Sequence, residues 1–364
     1  MLATQPYTAW QSVLRNWSAG SPPSALPPEG QTLPTPDPAL LTGVAAYRRH
    51  PWQRTLEDPP SLWCEGSTQL LDYGPPDGLP VLVVPSLVNR AYVLDLLPDH
   101  SMMRFMATQG IRPLLLDWGF PGEIERAFSL SDYIAGRLER ALAHAVGLAG
   151  DAKITLAGYC MGGLMAVAAT QRRPEWVSRL VLLASPWDFH AAGAAQARDL
   201  AALLPALEPA MHFNGTLPVD ALQILFSLLD PGSVGAKYRD FGQQDQTTPR
   251  ARMFVAMEDW LNDGIPLAAA VARETLAGWY GQNTPATNTW RVLGLPILPA
   301  ALTLPTYIAA PGRDRIVPPE SAQALAAAIP HATLHTPAAG HIGMVAGSTA
   351  RRALWEPLIA WLKT

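Results

Sequence analysis

Six short β-rich runs, most of them continuously apolar, constrain this chain more than any other feature. They are 81–84 (VLVV), 113–117 (PLLLD), 154–157 (ITLA), 180–184 (LVLLA), 306–309 (TYIA) and 332–336 (ATLHT). A strand with one face in water alternates apolar and polar residues. Runs without alternation suit strands covered on both faces. Segments 131–149, 162–173 and 318–329 lie between these runs and have helical composition and spacing. Strand and helix in alternation imply an α/β chain with a mostly parallel, doubly wound sheet. The alternation stops between about 188 and 298, where "LPVDALQILFSLLD" and "FVAMEDWLNDG" read as helical. That stretch is expected to be a cap: an inserted lid that excludes water and shapes a substrate channel.

The N-terminal part follows other rules. Residues 7–18 (YTAWQSVLRNWS) suit a short amphipathic helix with Trp10, Leu14 and Trp17 on one face. Packing on its own domain is favoured there over docking to a partner. Residues 21–38 hold seven prolines and read as an extended arm. The expected division is therefore 1–40 as helix and arm, 41–187 with 299–364 as the sheet core, and 188–298 as the cap. The 364 residues are 49% apolar, enough for a sizeable core. A net charge of −4 gives no basic footprint for nucleic acid or anionic lipid. The most apolar long region, 292–310, is broken by Pro296, Pro299 and Pro305 and makes a poor membrane span. No basic segment followed by an apolar stretch opens the chain, so no signal peptide is expected, and the reading is a soluble cytoplasmic protein.

The third run leads into "LAGYCMGGLMAVAAT", which sets Cys160 between Gly158 and Gly162. Gly-x-Cys-x-Gly after a strand and before a helix predicts a sharp, strained turn with the sulfur standing above the sheet. Small neighbours are needed because a side chain at either glycine meets the turned backbone. The Met161 N–H then opens the helix, where the dipole favours a thiolate and a developing oxyanion. The other cysteine, Cys64 in "SLWCEG", has no such context and is expected to be a buried small residue. Two cysteines imply no disulfide framework.

A thiol nucleophile needs a base, and the base needs an orienting group. On this type of sheet the chain order is nucleophile, acid, histidine. His331, His335 and His341 follow the last acid candidates. His335 is fixed by the pleat of "ATLHT", whereas His341 sits in the small-residue loop "PAAGHIG", so His341 is chosen. Asp314 in "APGRDRIVP" directly follows the strand 306–309 and is the preferred acid, with Asp188 in "ASPWDF" as runner-up. The next acids, Glu320 and Glu356, fall on helices. The oxyanion hole should combine the Met161 N–H with one from the loop "PSLVNRAYVLD", at Leu87 or Val88, with Val88 preferred. Asn89 and Arg90 either hold that loop or contact substrate. Asn89 and Tyr159 are the candidates for substrate contact.

Sulfur at the nucleophile position carries its own message. An acyl thioester on cysteine stays close in free energy to a coenzyme A thioester, so exchange between them is nearly isoenergetic. The acyl group then remains transferable to an alcohol. The thiol thus fits an acyltransferase better than a hydrolase.

Four stretches resemble the polyhydroxyalkanoate (poly-3-hydroxybutyrate) synthases, a family of the α/β-hydrolase superfamily. They are "SLVNRAYVLDLLPDHSMMRFMATQG", "LLLDWGFP" followed by "SLSDYI", "GYCMGG", and "RDRIVPPESAQAL" with "AGHIGMVAGS". The similarity runs from about 75 to 362, and "MEDWLNDG" in the cap is most similar to the short, two-subunit (class III) type. The resemblance implies an α/β-hydrolase fold. It implies that Cys160 holds the acyl chain and His341 activates it. Asp314 would support His341 or activate the incoming hydroxyl. The implied reaction polymerises (R)-3-hydroxyacyl-coenzyme A into polyester with release of coenzyme A, without metal or bound cofactor. The implied partners are that thioester, the growing polyester, and a non-catalytic synthase subunit or a second copy of the chain. The implied location is the cytoplasm, at the surface of polyester granules. Two other readings remain open. One is a hydrolase on the same scaffold, a thioesterase or polyester depolymerase. The other is a non-catalytic granule or synthase-partner protein.

Overall fold

The computed structural model describes residues 37–229 and 233–364. The helix expected over 7–18 and nearly all of the arm over 21–38 lie outside the described residues. The last arm residue, Pro38, instead opens helix α1 (Pro38–Arg49). Asp37 caps it: its Oδ1 accepts the N–H groups of Ala39 and Leu40. An acidic N-cap followed by proline at the first helical position is a common helix start.

The centre is an eight-stranded sheet. Its strands are β1 (Ser61–Glu65), β2 (Thr68–Asp72), β3 (Leu79–Val84), β4 (Ile111–Asp117), β5 (Ile154–Tyr159), β6 (Val177–Leu183), β7 (Thr306–Ala309) and β8 (Thr333–His335). Their spatial order is β1-β2-β4-β3-β5-β6-β7-β8. β2 is antiparallel to β1 and β4, and β4 through β8 pair in parallel with β3 among them. The six apolar runs all fall on the parallel part. Along β3, Leu82 and Val84 enter one core and Val81 and Val83 the other. Along β6, Leu180 and Leu182 are divided from Val181 and Leu183 in the same way. Burial on both faces is why the central strands read as apolar runs, whereas the edge strand β8 is largely exposed.

The covering helices are α2 (Met102–Thr108), α3 (Glu139–Leu148, entered through a π-helical turn at Asp132–Leu138) and α4 (Met161–Arg172). Between β6 and β7 the chain is mostly helical, through α5 (Ala194–Ala201), α6 (Leu204–Asn214), α7 (Val219–Leu229), α8 (Ser233–Phe241), α9 (Pro249–Asn262), α10 (Ala269–Arg273) and a π-helical turn at Glu274–Gly281. After β7 come α11 (Pro319–Ala328), α12 (Gly343–Ala346) and α13 (Glu356–Leu362).

Cys64 is exposed, not buried as expected. It lies on β1, the outermost strand of the sheet, whose residues are at most half-buried. An edge strand turns alternate side chains to solvent, and Cys64 is one of them.

Strand order places the site. The chain runs from β3 outward to β4, then returns across the sheet to β5 on the other side of β3. The loops after β3 and β5 therefore diverge in opposite directions. A crevice opens there, at the carboxyl ends of the strands.

Candidate active site

β5 ends at Tyr159 and α4 begins at Met161, so Cys160 alone makes the turn between them. Its backbone sits at φ 55° and ψ −127°, a region side chains rarely enter. Strain of this kind costs on the order of 1–3 kcal/mol and persists only where the surroundings hold it. Here the Cys160 N–H donates to the Leu183 carbonyl and its carbonyl accepts from the Gly163 N–H, both at 2.9 Å. The flanking glycines are sterically required. A Cβ on Gly158 would stand 2.5 Å from the Gly162 carbonyl oxygen, and one on Gly162 would stand 2.1 Å from the Val84 oxygen.

Two loops from the far side of the sheet bring the other groups. His341 Nδ1 lies 2.7 Å from Asp314 Oδ2. The other carboxylate oxygen, Asp314 Oδ1, accepts the N–H groups of Ile316 and Val317, each at 2.9 Å. The Asp314 side chain is fully buried. Its carboxylate is thus held by its own loop on one side and by the imidazole on the other. That contact occupies Nδ1, so the hydrogen bond between His341 and the Cys160 thiol falls to Nε2. Burial disfavours the charged ring. The charges of Cys160 and Asp314 and their hydrogen bonds outweigh burial and raise the imidazole to about 10. These partners favour the protonated form of the ring, beside the sulfur.

The other titratable candidates are engaged elsewhere. Asp188 Oδ1 accepts from the His190 N–H at 2.9 Å and from Asn283 Nδ2 at 2.8 Å, tying the loop after β6 to the chain beyond the π-helical turn. His335 Nε2 meets the Ala353 carbonyl at 2.7 Å, and His331 is exposed. Tyr159 lies against the imidazole, with ring centroids 5.2 Å apart, and its hydroxyl donates to the His341 carbonyl at 3.3 Å. Desolvation, helped by the nearby Cys160 and Asp314 charges, keeps that hydroxyl neutral far above its ordinary range. Tyr159 borders a cavity, but its polar atom positions His341.

Met161 is the first residue of α4, so its N–H has no acceptor within the helix. The Val88 N–H, expected to complete the oxyanion hole, donates instead to Ser86 Oγ at 3.0 Å. A serine two residues earlier draws it into a local turn. Of the two positions considered, the Leu87 N–H has no hydrogen-bond partner among the described residues. Asn89 borders the site with φ 65°. The loop is fastened at both ends by indoles: Trp118 Nε1 donates to the Pro85 carbonyl at 3.1 Å, and Trp260 Nε1 to the Arg90 carbonyl at 2.7 Å. Trp260 comes from α9 and was not singled out in the sequence; "MEDWLNDG" was the only pointer to it.

Two cavities meet at Cys160. One is walled by apolar side chains, among them Leu200, Leu225, Leu229, Leu276 and Trp279. The other reaches His341 and has a polar wall of Gln223, Ser227, Lys237, Tyr238, Glu258 and Asn262. Glu258 holds that wall: it pairs with Lys237 Nζ at 2.7 Å and accepts the Tyr238 hydroxyl at 2.8 Å. Among the described residues, no three His, Cys, Asp or Glu side chains are grouped to hold a metal. No described helix is long and apolar enough to cross a membrane.

Comparison with known proteins gives three findings. Residues 80–347 match the family described as alpha/beta hydrolase fold. The chain is 29% identical over 286 residues to a poly(3-hydroxyalkanoate) polymerase subunit PhaC of Haloferax mediterranei, covering 78% of this chain and 58% of that protein. It is 28% identical over 318 residues to the protein of the same name in Allochromatium vinosum, covering 83% and 87%. The chain thus spans well under two thirds of the haloarchaeal relative and most of the bacterial one. Among solved structures, a bromoperoxidase from Bacillus anthracis superposes with a TM-score of 0.52 at 15% identity, covering 82% of this chain and 95% of that one. That likeness is one of fold.

Proposed function

The chain belongs to the α/β-hydrolase fold family, and from that premise we propose that it polymerises (R)-3-hydroxyacyl-coenzyme A into polyhydroxyalkanoate. The observation that carries this reading is a thiol on the strained turn, backed by the His341–Asp314 hydrogen bond, where two cavities meet. Two chambers at the nucleophile accommodate the acyl group and the carrier arm of a thioester on either side of the scissile carbonyl, and the thiol keeps the acyl group transferable. The similarity to proteins named poly(3-hydroxyalkanoate) polymerase subunits supports the same conclusion.

In this mechanism Cys160 Sγ gives its proton to His341 Nε2 and attacks the thioester carbonyl. The C–S bond to the enzyme forms, and the carbonyl oxygen becomes an oxyanion facing the Met161 N–H and a second N–H of the loop after β3. The intermediate collapses, the bond to coenzyme A breaks, and His341 returns the proton to the departing thiolate. The hydroxyl of a second hydroxyacyl group then attacks the Cys160 thioester. His341, now neutral, takes its proton, an ester bond forms, and the sulfur leaves. Asp314 holds the imidazole and stabilises its cationic form throughout. Each step moves one acyl group and one proton, so no cofactor is needed. Asn89 contacts the substrate at the polar cavity. The segment 188–298 acts as the cap over both cavities. The enzyme works with a non-catalytic second subunit or a second copy of itself, in the cytoplasm at the surface of the polyester it makes.

The test is incubation with (R)-3-hydroxybutyryl-coenzyme A while free thiol is followed. Thiol release with insoluble polymer is expected. Release with free hydroxy acid would make the protein a thioesterase. No release, with or without a synthase partner subunit, would make it non-catalytic.

A further inference from the structure

The two cavities are divided by one helix, and the sequence of that helix is ordered around its axis to match. Six residues, Ser86, Val88, Cys160, Leu222, Phe226 and Ile316, border both cavities. Two of them, Leu222 and Phe226, lie one turn apart on α7. Leu225 and Leu229 border the apolar cavity and not the polar one. Val219, Gln223 and Ser227 border the polar cavity and not the apolar one.

With 3.6 residues per turn and Leu222 as origin, Leu225 falls at about −60°, Leu229 at about −20° and Phe226 at about +40°. On the same wheel Val219 falls at about +60°, Gln223 at about +100° and Ser227 at about +140°. The order around the helix is therefore residues of the first cavity, shared edge, residues of the second cavity, with Gln223 and Ser227 at the polar extreme and Val219 next to the edge. The stretch "VDALQILFSLL" accounts for three stripes at once: one leucine pair, one shared pair over the sulfur, one polar flank.

We propose that α7 is a septum over Cys160: the leucine side receives the acyl group, the Gln223 and Ser227 side receives the amide-bearing carrier arm of the thioester, and Phe226 on the edge sets acyl chain length. This rests on the acyltransferase reading above. The polar flank suits a carrier arm rather than an acyl tail. Gln223 Nε2 donates to the Leu261 carbonyl at 3.3 Å, which anchors α7 to α9 and leaves its oxygen to accept from an amide. On the α7 side of the other cavity, Leu225 and Leu229 face Leu200, Leu276 and Trp279, an apolar wall suited to an acyl chain. Phe226 is half-buried, so replacing it leaves the packed core intact.

The experiment compares Phe226→Ala and Phe226→Trp with the native protein. Coenzyme A release is measured from 3-hydroxybutyryl and 3-hydroxyhexanoyl thioesters. Phe226→Ala should shift the kcat/KM ratio toward the longer chain by about tenfold, and Phe226→Trp should shift it the other way. A Gln223→Leu, Ser227→Ala double variant should raise KM for both thioesters and leave the ratio unchanged. A second measurement needs no turnover: labelling of Cys160 by straight-chain alkyl methanethiosulfonates of increasing length, with the exposed Cys64 as internal reference. The length at which labelling slows should move with the residue at 226. If coenzyme A is never released but the labelling cut-off still moves, the septum stands and the acyltransferase reading falls. If neither the ratio nor the cut-off responds to either Phe226 variant, the septum is refuted.

Discussion

Gly162→Ala separates the packing of this site from its chemistry. The added methyl carbon would lie 2.1 Å from the Val84 carbonyl oxygen and 2.6 Å from that of Pro85. Both are backbone atoms at the end of β3, so no side chain can swing away. Relief requires α4 and the end of β3 to part by about an ångström. Overpacking of this kind costs about 1–3 kcal/mol. Alanine recovers up to about 1 kcal/mol of helix propensity. The net loss of stability is then about 0–3 kcal/mol, read as a drop in the urea midpoint. The functional loss should be larger, because the movement separates the Met161 N–H from the loop after β3. Misplacing one oxyanion donor costs about 10²–10³ in kcat. Gly147→Ala in α3 is the matched control, since nothing lies within 4 Å of the Cβ it would gain. It should leave the rate unchanged and raise stability slightly. A Gly162→Ala protein with native turnover and an undiminished urea midpoint would refute the close-approach argument and the oxyanion geometry built on it.

Other outcomes follow from the same geometry. In an NMR titration the His341 ring should hold its proton until about pH 10; burial opposes this, and Cys160→Ala, by removing the thiol's charge and hydrogen bond, should move the midpoint clearly downward. Asp314→Asn keeps the shape but loses the charge that holds the imidazolium, so turnover should fall by roughly 10³–10⁴, and the urea midpoint should drop too, because the buried ring loses its counter-charge. Trp260→Phe removes the 2.7 Å bond to the Arg90 carbonyl and frees one end of the loop after β3, so kcat should fall several-fold with little change in the KM for the thioester.

The sequence made the parallel sheet and the nucleophile turn legible for a physical reason. Strands buried on both faces leave no polar alternation, and a backbone forced to positive φ beside close contacts leaves glycines. His341 and Asp314 were legible because loops at the ends of β7 and β8 must converge on that turn. The β1–β2 hairpin was not singled out, because its strands are half-exposed and their mixed composition resembles a loop. Cys64 was misplaced for the same reason. The start of α1 was hidden by the proline count of the preceding arm, although Asp37–Pro38 is itself a helix start. The Val88 N–H was chosen by position along a loop, and position says nothing about a serine two residues away that takes it up. Tyr159, a candidate for substrate contact, borders the cavity at Cys160, but the sequence could not show that its hydroxyl turns to the His341 backbone. Nor could the two cavities be read in advance. They depend on how α7 and α9 pack over the sheet, which joins residues some forty positions apart.

The most direct test of the account is to trap the acyl-enzyme with a 3-hydroxyacyl-coenzyme A and locate the modified residue by mass spectrometry. The account predicts a hydroxyacyl group in thioester linkage on Cys160, absent in Cys160→Ser and no longer formed at native speed in His341→Gln. Coenzyme A release with the acyl group on another residue, or with Cys160 unmodified and Cys160→Ser fully active, would contradict it.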